Sequence, residues 1–107
     1  MVIELNKNRY AIKKVKHDDE NLLMDDGDYH FGVTDFNNKI IYIADNLSTS
    51  AFEYTLLHEI THAVIDSFGF LQVDWTEEVV ADFMANYSTM IADNYNYIIG
   101  IMEGYDD

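Results

Sequence analysis

Residues 55–65 read TLLHEITHAVI, and the fold is best worked out from this stretch. Its apolar residues recur at three- and four-residue intervals, which predicts an amphipathic helix. His58 and His62 are four residues apart, so on a helix they lie one above the other on the same face. Two imidazoles in that arrangement can bind one tetrahedral Zn²⁺, with Glu59 beside the open coordination position. The motif therefore predicts a zinc site in which Glu59 accepts a proton from water.

Signals on either side of the motif predict where this helix begins and ends. Ser50, with Glu53 three residues later, has the spacing of a capping box and predicts the start. Gly69 predicts the end, because glycine adopts the left-handed backbone conformation without a steric penalty. These signals place the motif within a helix and not in a loop.

A third zinc ligand is expected downstream, at the start of a second helix. Glu77 and Glu78 both fall in its first turn, and periodicity alone does not separate two neighbours. Thr76, or Asp74 with Glu77, is a candidate cap for this helix. Its later turns carry apolar and aromatic residues at helical spacing, which predicts packing against the first helix. These residues are Val80, Phe83, Met84, Tyr87, Ile91, Tyr95 and Ile98.

The first half of the chain predicts a small sheet. Residues 9–16 combine β-favouring side chains with lysines, as in an edge strand guarded by charge. Residues 29–34 and 39–44 predict a β-hairpin, whose connection contains an Asn-Asn pair that tolerates positive φ. The expected fold class is therefore α+β, with about three strands packed on two long helices. At this length, residues 1–107 are expected to form a single domain.

Composition and charge narrow the classes of function. The chain has no cysteine, which excludes a disulfide framework and a thiolate metal site, so any metal must bind to His, Asp or Glu. It has 6 basic and 20 acidic residues, for a net charge of −14. A surface of that sign repels phosphate backbones, so no direct contact with nucleic acid is expected. It would instead attract a basic partner, such as a DNA-binding protein.

The sequence carries no signal for membrane insertion or export. Residues 1–7 lack the basic region and long apolar stretch of a secretory leader. No apolar run approaches the length of a membrane-spanning helix. A cytoplasmic protein without membrane attachment is the expectation.

Residues 55–85 resemble the gluzincins, a group of zinc metallopeptidases in which a glutamate on a second helix completes the metal site. In that group an aspartate often follows the ligand glutamate by four residues and orients the first histidine. Asp82 follows Glu78 in this way, whereas Ala81 would follow Glu77. The resemblance therefore implies that Glu78 is the third ligand and that Asp82 accepts a hydrogen bond from the free ring nitrogen of His58.

A closer resemblance is to ImmA/IrrE-type and small phage-encoded metallopeptidases with an HExxH motif. Residues 32–36, 41–43 and 55–63 resemble the strand, strand and active-site helix of these proteins in the same order. Glu78 with Asp82 resembles the second metal helix. The resemblance implies a minimal zincin-like fold and coding by a phage or another mobile element.

Motif and resemblance together lead to a specific expectation of function. The chain is expected to be a hydrolase, a zinc-dependent metallopeptidase that cleaves peptide bonds of a protein substrate. Its metal ligands would be His58, His62 and Glu78, with Glu59 as the catalytic base. The alternative is a non-catalytic, acidic, zinc-containing interaction protein that occupies a basic, nucleic-acid-binding protein. Glu59 favours the enzyme, because a purely structural zinc site does not require it.

Overall fold

The structure is a computed structural model that describes residues 1–104. The strands are β1 Val2–Leu5, β2 Asn8–Val15, β3 Gly32–Asp35 and β4 Ile40–Ala44, and a short 3₁₀ turn, Glu20–Leu22, follows β2. The helices are α1 Thr49–Ser67 and α2 Glu77–Gly104. The predicted α+β class, a small sheet with two long helices, is confirmed, although the sheet has four strands and not three. Over the described residues, neither helix is long and apolar enough to cross a membrane.

The additional strand, β1, changes the position of β2 within the sheet. The strand order is β1-β2-β4-β3, so β2 pairs antiparallel with β1 and parallel with β4. The prediction of an edge strand over residues 9–16 is therefore wrong. Asn6 and Lys7 both have positive φ, 47° and 72°, which is the geometry of the tight turn that returns β1 onto β2. With four residues, β1 is too short for its alternation to be distinctive.

The hydrophobic core lies between one face of the sheet and helix α1. Buried side chains of β1, β2 and β4 point to this face, among them Tyr10, Ile41 and Ile43. Helix α1 covers them with a buried stripe that includes Leu56 and Ile60. Strand β3 pairs only with β4 and forms an edge of the sheet, as the predicted hairpin requires. The sheet thereby places one edge strand next to the motif helix.

The N-cap of helix α1 lies two residues before the predicted one. Ser48 is the N-cap, with extended φ and ψ of −61° and 162°, and its Oγ accepts a hydrogen bond from the Ala51 amide at 3.2 Å. Ser50 already lies in the helix, so the prediction of a capping box with Glu53 is wrong. At the other end, Gly69 has a φ of 82° directly after the helix, which confirms the predicted stop.

Helix α2 buries a narrower apolar stripe than the sequence predicts. Phe83, Ile91 and Ile98 are buried as predicted, but Val80 and Met84 are 43% and 49% exposed. The predicted period was correct, whereas the width of the buried face was overestimated. At the start of α2, the amide of Val79 donates to Oγ1 of Thr76 at 3.3 Å. Thr76, and not Asp74, is therefore the residue that caps this helix.

An aromatic cluster holds the start of α2 in place. Phe70 stacks on Trp75 and contacts Phe83 and Tyr87 edge-on, with ring centroids 5.3 to 5.8 Å apart. Phe68 also packs on Tyr87 at 4.6 Å. These contacts join the loop after α1 to the first turns of α2. They determine where the first turn of α2 lies.

A polar network joins the sheet to the last turn of α1. Tyr10, which is fully buried, donates its hydroxyl to Asp66 Oδ2 at 2.6 Å, and Lys39 Nζ donates to the same oxygen at 2.9 Å. Burial opposes ionisation of Asp66, but the bonds from Tyr10 and Lys39 outweigh it and lower the pKa of this carboxyl. Burial and the bond to Asp66 raise the pKa of Tyr10. Strand β2, the β3–β4 hairpin and α1 are thus held together at one point.

Candidate metal centre

The two histidines of the motif converge on the exposed side of α1. His58 Nε2 and His62 Nε2 are 3.1 Å apart. Two nitrogens bound at about 2.0–2.1 Å to a tetrahedral zinc ion lie about 3.3 Å from each other, so the pair fits a shared cation. The same distance allows one ring to donate a hydrogen bond to the other. Tyr54 stacks on His58 at 5.9 Å and contributes to the placement of that ring.

Glu59 lies beside this pair but is buried. Its side chain is only 7% exposed, while that of His58 is 51% exposed. Thr34 on β3 donates its hydroxyl to Glu59 Oε1 at 2.8 Å and lies 3.2 Å from the backbone oxygen of the same residue. The other carboxylate oxygen, Oε2, is 4.0 Å from His58 Nε2. The motif carboxylate is therefore anchored through one oxygen, and the other is directed towards the histidines.

Strand β3 approaches α1 closely because Gly32 has no side chain. A Cβ at this position would lie 2.6 Å from Thr55 Cγ2 and 3.0 Å from Glu59 Cγ. Atoms at those distances overlap, so any larger residue would push the strand away from the helix. The register with β4 places Gly32 and Thr34 on the same face of the sheet. Two alternate residues of one edge strand thus contact the motif glutamate.

A cavity opens over these residues. It has a volume of about 320 Å³ and is lined by His58, Glu59 and His62 from α1, by Thr34 from β3, and by His30 from the preceding loop. A smaller cavity of about 150 Å³ adjoins it and shares His30, His58 and Glu59. A separate cavity of about 280 Å³, between Lys14, Phe52 and Ile99, contains no residue of the motif. The chemistry of the motif therefore faces the first two cavities.

His30 is the side chain of the preceding loop best placed to act with the motif. Its Nε2 lies 3.0 Å from Asp26 Oδ2. Two hydrogen bonds lower the pKa of Asp26: the larger effect comes from the Asp28 amide and the smaller from His30. The backbone amide of His30 donates to Leu22 O at 2.8 Å, which ties the loop down. Tyr87 packs in the aromatic cluster, against Phe68 and Phe83.

The acidic residues predicted for α2 are not gathered with the histidines. Glu77, Glu78 and Asp82 are all exposed on the first turns of the helix. Among the side chains of residues 1–102, no three His, Asp or Glu lie close enough together to hold a metal ion. A zinc ion held by His58, His62 and Glu78 thus requires the first turn of α2 to lie nearer the pair. The assignment of Glu78 and Asp82 stays a prediction.

In the sequence, Gly32 and Thr34 stand out only as members of a predicted strand. Their contacts depend on a strand and a helix that are separated by the whole of β4. The one sequence signal for these contacts is the two-residue spacing of Gly32 and Thr34, which places a glycine and a hydroxyl residue on one face of an edge strand. That pattern alone does not indicate which helix residue they contact.

No protein-family model matches the chain, and comparison with curated proteins and with solved structures finds no significant match. A function can therefore be proposed only from the motif residues and their geometry.

Proposed function

We propose that the protein is a zinc-dependent metallopeptidase that hydrolyses peptide bonds of a protein substrate. The observation that carries the proposal is the convergence of two histidine nitrogens, 3.1 Å apart, beside a buried and anchored glutamate. If the two histidines had only a structural role, they would not require a buried carboxylate fixed next to them. The proposal includes a cytoplasmic location and coding by a phage or another mobile element.

The residues of the chain have distinct tasks in this proposal. His58 and His62 would hold the metal through Nε2, and Glu78 would complete the site if the first turn of α2 lay nearer the pair. When bound, zinc supplies Lewis acidity, which polarises a peptide carbonyl and makes water more acidic. Glu59 accepts the proton from water at Oε2 and later donates it to the leaving amine. His30 lines the same cavity and can donate a hydrogen bond to the carbonyl oxygen of the substrate.

The edge position of β3 supports a peptide as the substrate. Within residues 1–104, β3 pairs with β4 alone, so its other edge has no strand partner and could pair with an extended chain. Such pairing uses main-chain hydrogen bonds and makes few demands on the substrate sequence. Thr34 of this strand also lines the cavity over Glu59. A peptide added at this edge would therefore run past the catalytic base.

A second function is favoured by the distribution of charge. All 6 basic residues precede residue 40, so neither α1 nor α2 contains a lysine or an arginine. A layer of helices with acidic residues only is suited to occupy a basic, nucleic-acid-binding protein. In this case zinc would be structural, and Glu59 would have no chemical task.

Zinc binding is expected at one ion per chain, with Glu78 and not Glu77 as the third ligand. Loss of a residue that only orients a ligand can lower the zinc affinity roughly a hundredfold. Glu78→Ala, which removes a ligand itself, should lower the affinity by at least that factor, while Glu77→Ala should have little effect. Titration can be followed through fluorescence of Trp75, the single tryptophan, which lies just before α2. An exchanged outcome for the two variants would make Glu77 the ligand. Protein that takes up no zinc when the metal is supplied would contradict the site.

Asp82→Ala is expected to weaken zinc about tenfold to a hundredfold and to leave both helices formed. The reason is that Asp82, one turn after Glu78, would orient the His58 ring by accepting a hydrogen bond from it. Competition with a chromophoric chelator measures the affinity, and circular dichroism measures the helix content. Asp93→Ala, which removes an exposed acid farther along α2, is the matched control. Equal affinities for these two variants would show that Asp82 has no part in the site.

A further inference from the structure

We propose that Thr34 is a positioning residue for the catalytic base, and that it makes the two oxygens of Glu59 inequivalent. Its hydroxyl holds Oε1, so that Oε2 is the oxygen that receives the proton. The inference rests on the proposed function and adds to it a residue from outside the motif. It concerns strand β3 and not the metal ligands.

The hydrogen bond itself is specific. A threonine hydroxyl carries one hydrogen, and Thr34 Oγ1 lies 2.8 Å from Glu59 Oε1 and 3.2 Å from Glu59 O. The shorter distance and the charge of the carboxylate favour the bond to Oε1. The side chain of a glutamate on a helix surface has three rotatable bonds, and this contact holds its end in one place.

Gly32 restricts the same side chain from a second direction. The strand backbone at Gly32 passes so close to Glu59 that a Cβ there would lie 3.0 Å from Cγ and 3.3 Å from Cδ. The stem of the glutamate is therefore packed against the strand while its end is hydrogen-bonded to it. Both contacts come from β3, so the position of this strand determines the position of the carboxylate.

The second oxygen remains available for chemistry. Within residues 1–102, every fully buried side-chain nitrogen or oxygen has a hydrogen-bond partner. Among the described residues, Oε2 of Glu59 has no partner within hydrogen-bond distance, and His58 Nε2 lies 4.0 Å from it. It therefore reaches the cavity, where water has access to it.

Three variants of the zinc-loaded protein test the assignment, with a pool of fluorescence-quenched octapeptides of randomised sequence as the probe. Thr34→Val keeps the shape of the side chain and removes the hydroxyl, so kcat should fall about tenfold or more while KM stays the same. Thr34→Ser restores the hydroxyl and should return kcat to within about twofold of wild type. Thr89→Val repeats the same change at an exposed position of α2 and should have no effect. If Thr34→Val does not fold, Thr34→Ala carries the same expectation.

A second measurement does not depend on activity. In metal-free protein labelled with ¹³C at the glutamate δ carbon, the Glu59 resonance is assigned by its loss in Glu59→Gln. At a single neutral pH it should move in Thr34→Val and return in Thr34→Ser. A resonance that is the same in all three proteins overturns the hydrogen bond.

The outcomes distinguish failure of the role of Thr34 from failure of the proposed peptidase function. Hydrolysis by the wild type with an unchanged kcat in Thr34→Val overturns the role of Thr34 alone. A Thr34→Ser variant as slow as Thr34→Val also overturns it, because the hydroxyl would then be irrelevant. A wild type that hydrolyses no peptide of the pool overturns the proposed function, and with it any role of Thr34 in catalysis.

Discussion

Replacement of Glu59 by glutamine is expected to lower the rate of peptide hydrolysis by about two to four orders of magnitude and to leave zinc binding unchanged. Glutamine has the shape of glutamate, and its amide oxygen can still accept the hydrogen bond that Thr34 now donates to Oε1. The amide nitrogen that replaces Oε2 cannot accept a proton. The variant should therefore fold normally, bind one zinc ion and be nearly inactive.

The same variant distinguishes the two functions proposed above. An interaction protein would lose a single negative charge and would hold its basic partner about as well as the wild type. Cleavage and binding of one partner should therefore be measured side by side, with Glu20→Gln as an exposed control for the change in charge. Loss of cleavage with binding retained supports the peptidase. If the wild type never cleaves and both proteins have the same biological effect, the protein is not a peptidase.

Asp66→Ala is expected to lower the free energy of unfolding by about 2–4 kcal/mol, because it leaves the buried hydroxyl of Tyr10 and the ammonium of Lys39 without their acceptor. For a domain of this size the melting temperature should fall by roughly 10–25 °C. Thermal unfolding followed by circular dichroism measures the change. Loss of an exposed acid, as in Asp93→Ala, should stay within about 0.5 kcal/mol of wild type.

The network should also be visible in the pH dependence of stability. The pKa of Asp66 is lowered in the folded state, so its contribution is present above the ordinary value of 3.8 and is lost as the pH falls through the folded value. The pKa of Tyr10 is raised, so its contribution is present below 10.0 and is lost as the pH rises towards the folded value. In Asp66→Ala, the loss of stability at low pH that Asp66 causes should disappear. In Tyr10→Phe, the loss of stability at high pH that Tyr10 causes should disappear.

A double-mutant cycle tests whether the two residues act as a unit. Because both contacts end on one oxygen of Asp66, the combined loss in Asp66→Ala with Tyr10→Phe should be smaller than the sum of the single losses. Additive losses would mean that the contacts are energetically independent. A melting temperature of Asp66→Ala within 2–3 °C of wild type would contradict the importance of the network, given the roughly 4–8 °C expected per kcal/mol.

Local signals were sufficient for the main elements of the fold. The period of the apolar residues places His58 and His62 on a helix, and Gly69 terminates it. The β3–β4 hairpin forms where its turn residues predict it, although the positive φ of the turn, 57°, belongs to Lys39 and not to the Asn-Asn pair. One error fell where two local options had similar energies. Ser48 and Ser50 are both good caps, and the path of the chain after β4 decides between them.

The sequence by itself determined that two imidazoles and a carboxylate share one helix, because a spacing of four residues is a property of the helix and needs no other part of the chain. It could not determine what holds Glu59, since Gly32 and Thr34 reach it only through the pairing of β3 with β4 and the packing of that sheet on α1. The position of Glu78 is likewise a tertiary matter. The aromatic packing around Trp75 and Phe83 sets where α2 begins relative to the histidines, and no local pattern specifies the geometry of packed rings.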